Sequence, residues 1–263
     1  MAGRIYAVTG VSTGIGAELA EILMDRGDHV VGFDIAEPNK ELHTFVQLDL
    51  SDANQISTSL ADFDLPLNGL CNNAGLPPRA GLEQKILKVN FLSQRLLTRA
   101  LLPHLQKGGS VVNMASRAGH RWQASIEQNK QLSEISSQDA LAEFIKQNEI
   151  DHVRAYDLSK EAMILWTMAE TEPMIQRGLR VNSISPGAIA TRILDDFAVA
   201  FGDRMTKNVV RAGRPGSPKE VAQLAAFLIS PDSSWVNGTD VAIDGGMGGF
   251  NACDQLQLET FRI

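Results

Sequence analysis

Tyr156 and Lys160 stand four residues apart in YDLSK, a spacing that puts both on one face of a helix. A phenol titrates near ~10 and is a poor base at neutral pH. A neighbouring ammonium favours the phenolate, each unit of pKa being worth about 1.4 kcal/mol. Such a pair can take a proton from an alcohol or give one to a carbonyl oxygen. The spacing alone is weak, because Tyr and Lys meet at it by chance on many exposed helices.

A second group of residues suits a different task. Thr9-Gly10-Val11-Ser12-Thr13-Gly14-Ile15-Gly16 follows an apolar run and opens a helical pattern. Glycines let the backbone turn tightly and approach a pyrophosphate, and a helix N-terminus offers it free N–H groups. The spacing is G-x3-G-x-G rather than the usual G-x-G-x-x-G. Asp34 ends the run VVGFD, 18 residues after Gly16. That is near the offset at which an acid binds the adenosine ribose diol and repels a 2′-phosphate. Position 13 is Thr and position 35 is Ile, so no cation stands ready for that phosphate. NAD is therefore expected over NADP. The plainer alternative for Asp34 is an acid that caps a turn.

These groups need a frame. Short apolar runs at Ile5–Thr9, His29–Asp34, Thr44–Leu48, Gly69–Asn72, Ser110–Ala115, Arg180–Ile184 and Asp240–Ile243 read as strands buried on both faces. An amphipathic helix with Ile15, Leu19, Ile22 and Leu23 on one face joins the first two, with Gly27 past its end. Further helical patterns cover about 52–61, 82–105, 155–176 and 218–229. This alternation predicts an α/β, Rossmann-type doubly wound fold: a seven-stranded parallel sheet with helices on both faces. No linker or repeat divides the chain, so residues 1–263 are read as a single NAD-binding domain.

Composition narrows the function classes. Lys+Arg number 24 against 31 Asp+Glu, a formal charge of −7, and no basic run breaks the balance. A nucleic acid or an anionic membrane is thus not an expected partner. Two cysteines, one of them Cys71 inside an apolar run, do not make a disulfide framework. MAGRIYAVTG goes straight into a strand with no signal-peptide pattern, and no apolar run approaches a membrane span. A cytoplasmic location is expected, and no metal site.

With Asn72-Asn73-Ala74-Gly75, Asn90 in KVNF and Ser116 in VVNMAS, these motifs make a specific set. The chain resembles the short-chain dehydrogenases/reductases over essentially its whole length. TGxxxGIG, Asp49-Leu50, NNAG, YxxxK, Pro186-Gly187 and a closing IDGG occur in that family's order. The resemblance implies hydride transfer between an alcohol or carbonyl compound and a nicotinamide cofactor. It matches Asn90, Ser116, Tyr156 and Lys160 to a catalytic tetrad. In that family Ser orients the substrate oxygen, Tyr exchanges the proton, Lys lowers the Tyr pKa and holds ribose, and Asn holds a relay water. Asp49 and Leu50 fall where the family holds adenine, and Asn73, Ala74 and Gly75 fall under the adenosine ribose. Gly187, Ile189 and Thr191 fall beside the carboxamide. The plainer alternatives are that Asn90 kinks a helix and Ser116 ends a strand.

Two departures point within the family. Tyr156 lies 40 residues after Ser116, a long separation, and the stretch from Gly75 to Asn90 is short. Together with FVQLDLSD and ILDDF, Ile193–Phe197, this resembles the subgroup of coniferyl-alcohol dehydrogenase and 3α-hydroxysteroid dehydrogenase/carbonyl reductase. Ile189, Ile193, Leu194, Phe197, Phe201 and Met205 would form an apolar lid, suited to an aromatic or alicyclic substrate. About half of them could simply pack the lid. Arg117, His120, Trp122 and Gln123 are candidates to line the pocket, and Arg192 and His152 are lone candidates for a carboxylate or phenol. The expected substrate is a small apolar or aromatic alcohol or carbonyl compound, cinnamyl-type first and hydroxysteroid second. A non-catalytic NAD-binding protein is the competing class, against which the intact tetrad speaks.

The polar stretch Gln123–Ile150 separates Ser116 from Tyr156. Capping-box patterns at Ser125/Gln128 and Ser136/Asp139 predict a helical hairpin, an insertion at 121–153 ahead of the Tyr helix. Its stripe of Leu141, Phe144 and Ile145 would pack on the body or on a partner subunit. The helices carrying Asn90 and Tyr156 commonly form the subunit contact in the family. The resemblance therefore implies a homodimer or homotetramer.

Overall fold

The computed structural model describes residues 3–261, with Asp203 and Arg204 described by backbone alone. Seven strands form one parallel sheet in the order β3-β2-β1-β4-β5-β6-β7. They are β1 (Ile5–Thr9), β2 (His29–Asp34), β3 (Thr44–Gln47), β4 (Leu67–Asn72), β5 (Leu105–Met114), β6 (Arg180–Pro186) and β7 (Asp240–Ile243). The order reverses between β1 and β4, so the loops leaving their C-terminal ends open a crevice there. β1 and β6 are buried almost throughout; β1 reads as an apolar run, whereas β6 buries Arg180, Asn182, Ser183 and Ser185 through hydrogen bonds.

Helices cover both faces. On one, α1 (Gly14–Asp25) and α10 (Pro218–Ile229) bury Leu19, Leu23, Val221 and Ala225 against β1 and β4. On the other, α2 (Ala53–Ser59) and α4 (Ser93–Leu101) bury Ile56, Leu97 and Leu101. A third core joins α3 (Glu83–Leu87) to α7 (His152–Ala169), with Ile86, Phe91, Leu158 and Met163.

Four expected elements are redrawn. The helix expected over 82–105 is split: α3 runs into a π-helical turn at Lys88–Leu92, then α4, and Leu105 already belongs to β5. The π turn is short, and the buried positions around it, Ile86, Leu87, Phe91, Leu97 and Leu101, still fit helical spacing, so periodicity does not register it. The helix expected over 155–176 begins earlier, at His152, because the Asp151 side chain accepts from Arg154 N–H as its cap. It breaks at Glu170 before α8 (Thr171–Gln176). β3 and β5 each end one residue earlier than expected, at Gln47 and Met114, and β5 starts earlier, at Leu105.

The insertion is a hairpin of α5 (Ile126–Glu134) and α6 (Gln138–Gln147), reached through a 3-10 segment at Arg117–Ser125. Neither expected capping box forms. Ser125 precedes α5 but makes no cap bond; its hydroxyl donates to Glu161. Helix α6 is capped by Ser137, not Ser136, through Ala140 N–H. The stripe packs on the body of the same chain: Leu141 and Phe144 are buried with Leu132 and residues of α3 and α7. Burying each contributes about 1.5–3 kcal/mol. Arg95 of α4 and Gln84 of α3 also donate to hairpin carbonyls, at Ser133 and Gln138. Among the described residues no helix is long and apolar enough to cross a membrane.

Candidate active site

The turn from β1 into α1 is shaped by its glycines. Gly14 has φ of +61°, the left-handed region that an L side chain rarely enters. A Cβ on Gly16 would lie 2.0 Å from Gly10 O, so only glycine lets helix and turn come this close. Thr13 precedes α1 without any side-chain cap bond, so the first-turn N–H groups remain available to a ligand. Thr9 Oγ1 accepts from the N–H of Asn73 and of Ala74, both at 2.9 Å, and Asn73 Nδ2 donates to Thr9 O at 3.0 Å. The two loops at the switch point are thus tied together.

At one end of the crevice Asp34 stands at the tip of β2. Its carboxylate accepts from Ser12 N–H at 2.9 Å and Ala36 N–H at 3.2 Å. Both bonds hold it beside the glycine turn. Asp49 follows β3, and its carboxyl lies below its ordinary value: burial opposes this, but the bonds from Ser51 outweigh it. Leu50 is buried beside it.

At the other end α7 presents Tyr156 and Lys160 to Ser116, which follows β5. The Ser116 side chain faces the Tyr156 hydroxyl closely enough to favour its ionised form. Lys160 Nζ donates to Met114 O at 2.8 Å and lies 5.7 Å from the Tyr156 ring centre. Burial pushes the phenol well above its ordinary value, and Ser116 pulls it back down. Burial lowers Lys160 to about 8, so it still carries its proton at neutral pH. The ammonium expected to favour the phenolate is present, but burial is the larger influence on both groups. Gly119 of the 3-10 segment rests directly on α7: a Cβ there would lie 2.7 Å from Lys160 C and O.

Asn90 sits in the π turn, buried under this floor. Its Oδ1 accepts from Leu76 N–H at 2.7 Å, and its Nδ2 donates to Leu76 O and Ser159 Oγ at 3.0 and 3.3 Å. A Cβ on Gly75 would lie 3.3 Å from Asn90 Oδ1 and 3.6 Å from Lys160 Nζ, so the two residues flank one point.

Every catalytic and cofactor-binding residue expected from the sequence lines one cleft of about 1080 Å³, except Gly16 and Asn90. Its roof is α9 (Leu194–Ala212), which follows Gly187, Ile189 and Thr191. Phe197 and Phe201 stack on each other at 6.2 Å and meet the Tyr156 ring edge-on at 5.2 and 6.3 Å. Ile193, Met205, Arg117, His120 and Arg192 also line the cleft, as expected. Trp122, Gln123, Leu194 and His152 do not. Trp122 packs instead into the α3–α7 core, and His152 is the first residue of α7.

The sequence reading missed the wall formed by α11 (Met247–Leu256), which brings Met247, Asn251 and Gln255 to the cleft. It also missed two tethers. Arg117 Nε lies 3.0 Å from Asp244 Oδ2, an ion pair rather than an aligned hydrogen bond. Arg79 forks onto Asp196 of α9 at 2.7 and 2.8 Å. Asp244 belongs to the closing IDGG, which signalled the family but gave no hint of this partner.

The size and layout of the cleft suit a dinucleotide with a second molecule under the roof. Known proteins share this arrangement. A family model described as short chain dehydrogenase matches residues 4–128, and one described as Enoyl-(Acyl carrier protein) reductase matches residues 133–248. Coniferyl-alcohol dehydrogenase from a Pseudomonas species is 37% identical over 94% of this chain and 97% of its own length. The 3-alpha-hydroxysteroid dehydrogenase/carbonyl reductase of Comamonas testosteroni is 31% identical over 92% of this chain and 96% of its own. The crystal structure of a 3-alpha-hydroxysteroid dehydrogenase from another Pseudomonas, complexed with NADH, has a TM-score of 0.79 at 27% identity. That alignment covers 94% of this chain and 98% of the other. Shared fold, shared motifs and relatives aligned nearly end to end agree: the chain belongs to the short-chain dehydrogenase family of oxidoreductases.

Proposed function

We propose that the chain is an NAD-dependent alcohol dehydrogenase/carbonyl reductase acting on an aromatic, cinnamyl-type alcohol. The observation that carries this is the Ser116–Tyr156 hydroxyl pair beside Lys160, lying under two aromatic rings of the roof. The residues fit the cofactor: uncapped N–H groups at α1, a cradle that a Cβ at Gly16 would fill, and an anchored carboxylate at Asp34. When bound, NAD(H) accepts or supplies the hydride.

The chain's own groups do the rest. Ser116 Oγ orients the substrate oxygen. Tyr156 takes the proton from the alcohol, or returns it to the carbonyl oxygen. Lys160 Nζ stands by the phenol to favour its ionised form and to hold the nicotinamide ribose. Asp34 accepts from the adenosine ribose hydroxyls, Asp49 and Leu50 border the adenine, and Asn73, Ala74 and Gly75 lie under the ribose. Gly187, Ile189 and Thr191 border the carboxamide. Asn90 braces the floor through Leu76, leaving its backbone rather than its side chain to hold a relay water.

The aromatic substrate is favoured by Phe197 and Phe201 and by the 37%-identical coniferyl-alcohol dehydrogenase. A hydroxysteroid is the second reading, favoured by the Comamonas relative and the NADH-bound Pseudomonas structure. A panel of cinnamyl-type alcohols and 3α-hydroxysteroids with NAD, followed by NADH absorbance, separates them. Turnover of hydroxysteroids alone would overturn the first choice, and turnover of neither class would sink both. The same reading carries a homodimer or homotetramer. Because α5 and α6 lie over α3, α4 and α7, the subunit contact runs through the hairpin or on another face.

Two variants test its parts. Asp34→Ala is expected to lower the NAD-over-NADP preference roughly ten- to a hundredfold, the worth of charged hydrogen bonds of about 1.5–3 kcal/mol. An unchanged ratio of kcat/KM for the two cofactors would remove Asp34 from this role. Arg79→Ala unlatches α9 from the loop after β4. The pair is exposed, so the expected change is modest, a rise in substrate KM of up to roughly fivefold. NADH affinity should stay as it is, and a KM that does not move would mean the fork does not hold the roof.

A further inference from the structure

Glu161 is a buried acid that the chemistry above does not use. It follows Lys160 in α7, and its side chain is 3% exposed. Its carboxylate accepts from Ser125 Oγ at 2.6 Å, Asn129 Nδ2 at 3.0 Å, and Arg154 NH1 and NH2 at 2.8 and 2.9 Å. Arg154 also grips Gln128 Oε1 through NH2 and Nε, at 2.7 and 3.0 Å. Ser125, Gln128 and Asn129 all belong to the insertion, whereas Arg154 and Glu161 both belong to α7. Burial would raise the Glu161 carboxyl, but the bonds from Arg154, Ser125 and Asn129 outweigh it and keep the acid ionised.

Adhesion alone does not call for this arrangement. Leu132, Leu141 and Phe144 already glue the hairpin to the body, and well-packed apolar groups often do better than a buried ion pair. What directed hydrogen bonds add is orientation. Ser125 ends the 3-10 segment whose first neighbour is Ser116. That segment touches α7 at Gly119, backbone on backbone, and again at Ser125, through Glu161. Ser116 and Tyr156 therefore sit on two elements whose relative seat is set at these points.

We infer that Glu161, with Arg154, is a positioning residue: the clamp seats the segment on α7 and so sets the Ser116–Tyr156 hydroxyl separation. The inference rests on the proposed roles of those two hydroxyls. The groups facing Tyr156 are Ser116, Lys160 and Asp157, with the uncharged rings of Phe197 and Phe201 on the roof side. The groups facing Glu161 are Arg154, Ser125 and Asn129.

The test uses the full chain with NAD and the best alcohol of the panel, in Glu161→Gln and Ser125→Ala. Ser116 favours the phenolate, so loosening this contact moves the limb of the kcat–pH profile for alcohol oxidation to higher pH. The expected move in Glu161→Gln is about one unit, or roughly tenfold in kcat at neutral pH, and about half a unit in Ser125→Ala. NADH affinity, read by fluorescence titration, should stay within about twofold, since no cofactor group is altered. If Glu161→Gln strands Arg154 and fails to fold, Ser125→Ala keeps the ion pair and decides by the same readout. A limb that stays in place while the melting temperature falls overturns the inference and leaves the clamp a fastener. Tyr156→Phe in the same assay keeps the two levels apart. Wild-type turnover there overturns the reading of the site, and this inference with it. An inactive Tyr156→Phe beside an unmoved limb overturns the inference alone.

Discussion

Tyr156→Phe is expected to lower turnover by about 10²–10⁴-fold, the usual worth of a positioned acid or base. NADH binding should persist. The substitution removes one oxygen and keeps the ring that meets Phe197 and Phe201 edge-on. It also leaves Lys160 on Met114 O, so the floor of the cleft stands. What goes is the hydroxyl that faces Ser116 and exchanges the substrate's proton. The loss should fall on kcat more than on KM, because the interaction is made as the proton moves. Burst-free steady-state rates in both directions, with NADH titration as the control, decide it. A variant within tenfold of wild type would mean that another group carries the proton.

The second large effect belongs to the cofactor end. Gly16→Ala places a methyl group 2.0 Å from Gly10 O and 2.6 Å from Asn73 Nδ2, so the Gly10 backbone and the Asn73 side chain both have to give. Overpacking of this kind costs about 1–3 kcal/mol. In a chain of this size that corresponds to a melting temperature lower by roughly 2–12 °C. The more telling loss is in NADH affinity, expected to exceed tenfold, because the turn whose N–H groups face the pyrophosphate is pushed open. Gly249→Ala is the matched control: nothing lies within 4 Å of a Cβ there, and Ala favours the helix by up to about 1 kcal/mol. If the two variants bind NADH alike, the close approach of helix and turn is not what the cofactor needs.

The parts of this protein that could be read from its residues share one property: their signal is local. The strand Ile5–Thr9, the glycine turn and Asp34 announce themselves within a short stretch, because backbone sterics and strand burial leave few alternatives. Tyr156 and Lys160 needed only helical spacing. The misreadings have the opposite cause. Ser125 looks like a helix cap, yet its hydroxyl donates to a carboxylate 36 residues away. The π turn at Asn90 leaves the apolar pattern intact, so nothing in the periodicity marks it. The glycines of GGMGG masked the start of α11, and with it one wall of the cleft. Trp122 stands six residues from Ser116 and was read as pocket, yet the 3-10 segment turns it toward the α3–α7 core.

The contact at Gly119 has one more consequence. Where main chain lies on main chain, the gap between two elements is a property of peptide geometry rather than of side-chain size. Along this rail Arg117, His120 and Arg121 turn their side chains to the cleft. Replacing any of them changes what the wall recognises, while the rail keeps its height above α7. Variation at these three positions can thus re-line the chamber, while the distance over which a proton travels is left to the Gly119 contact and the Glu161 clamp.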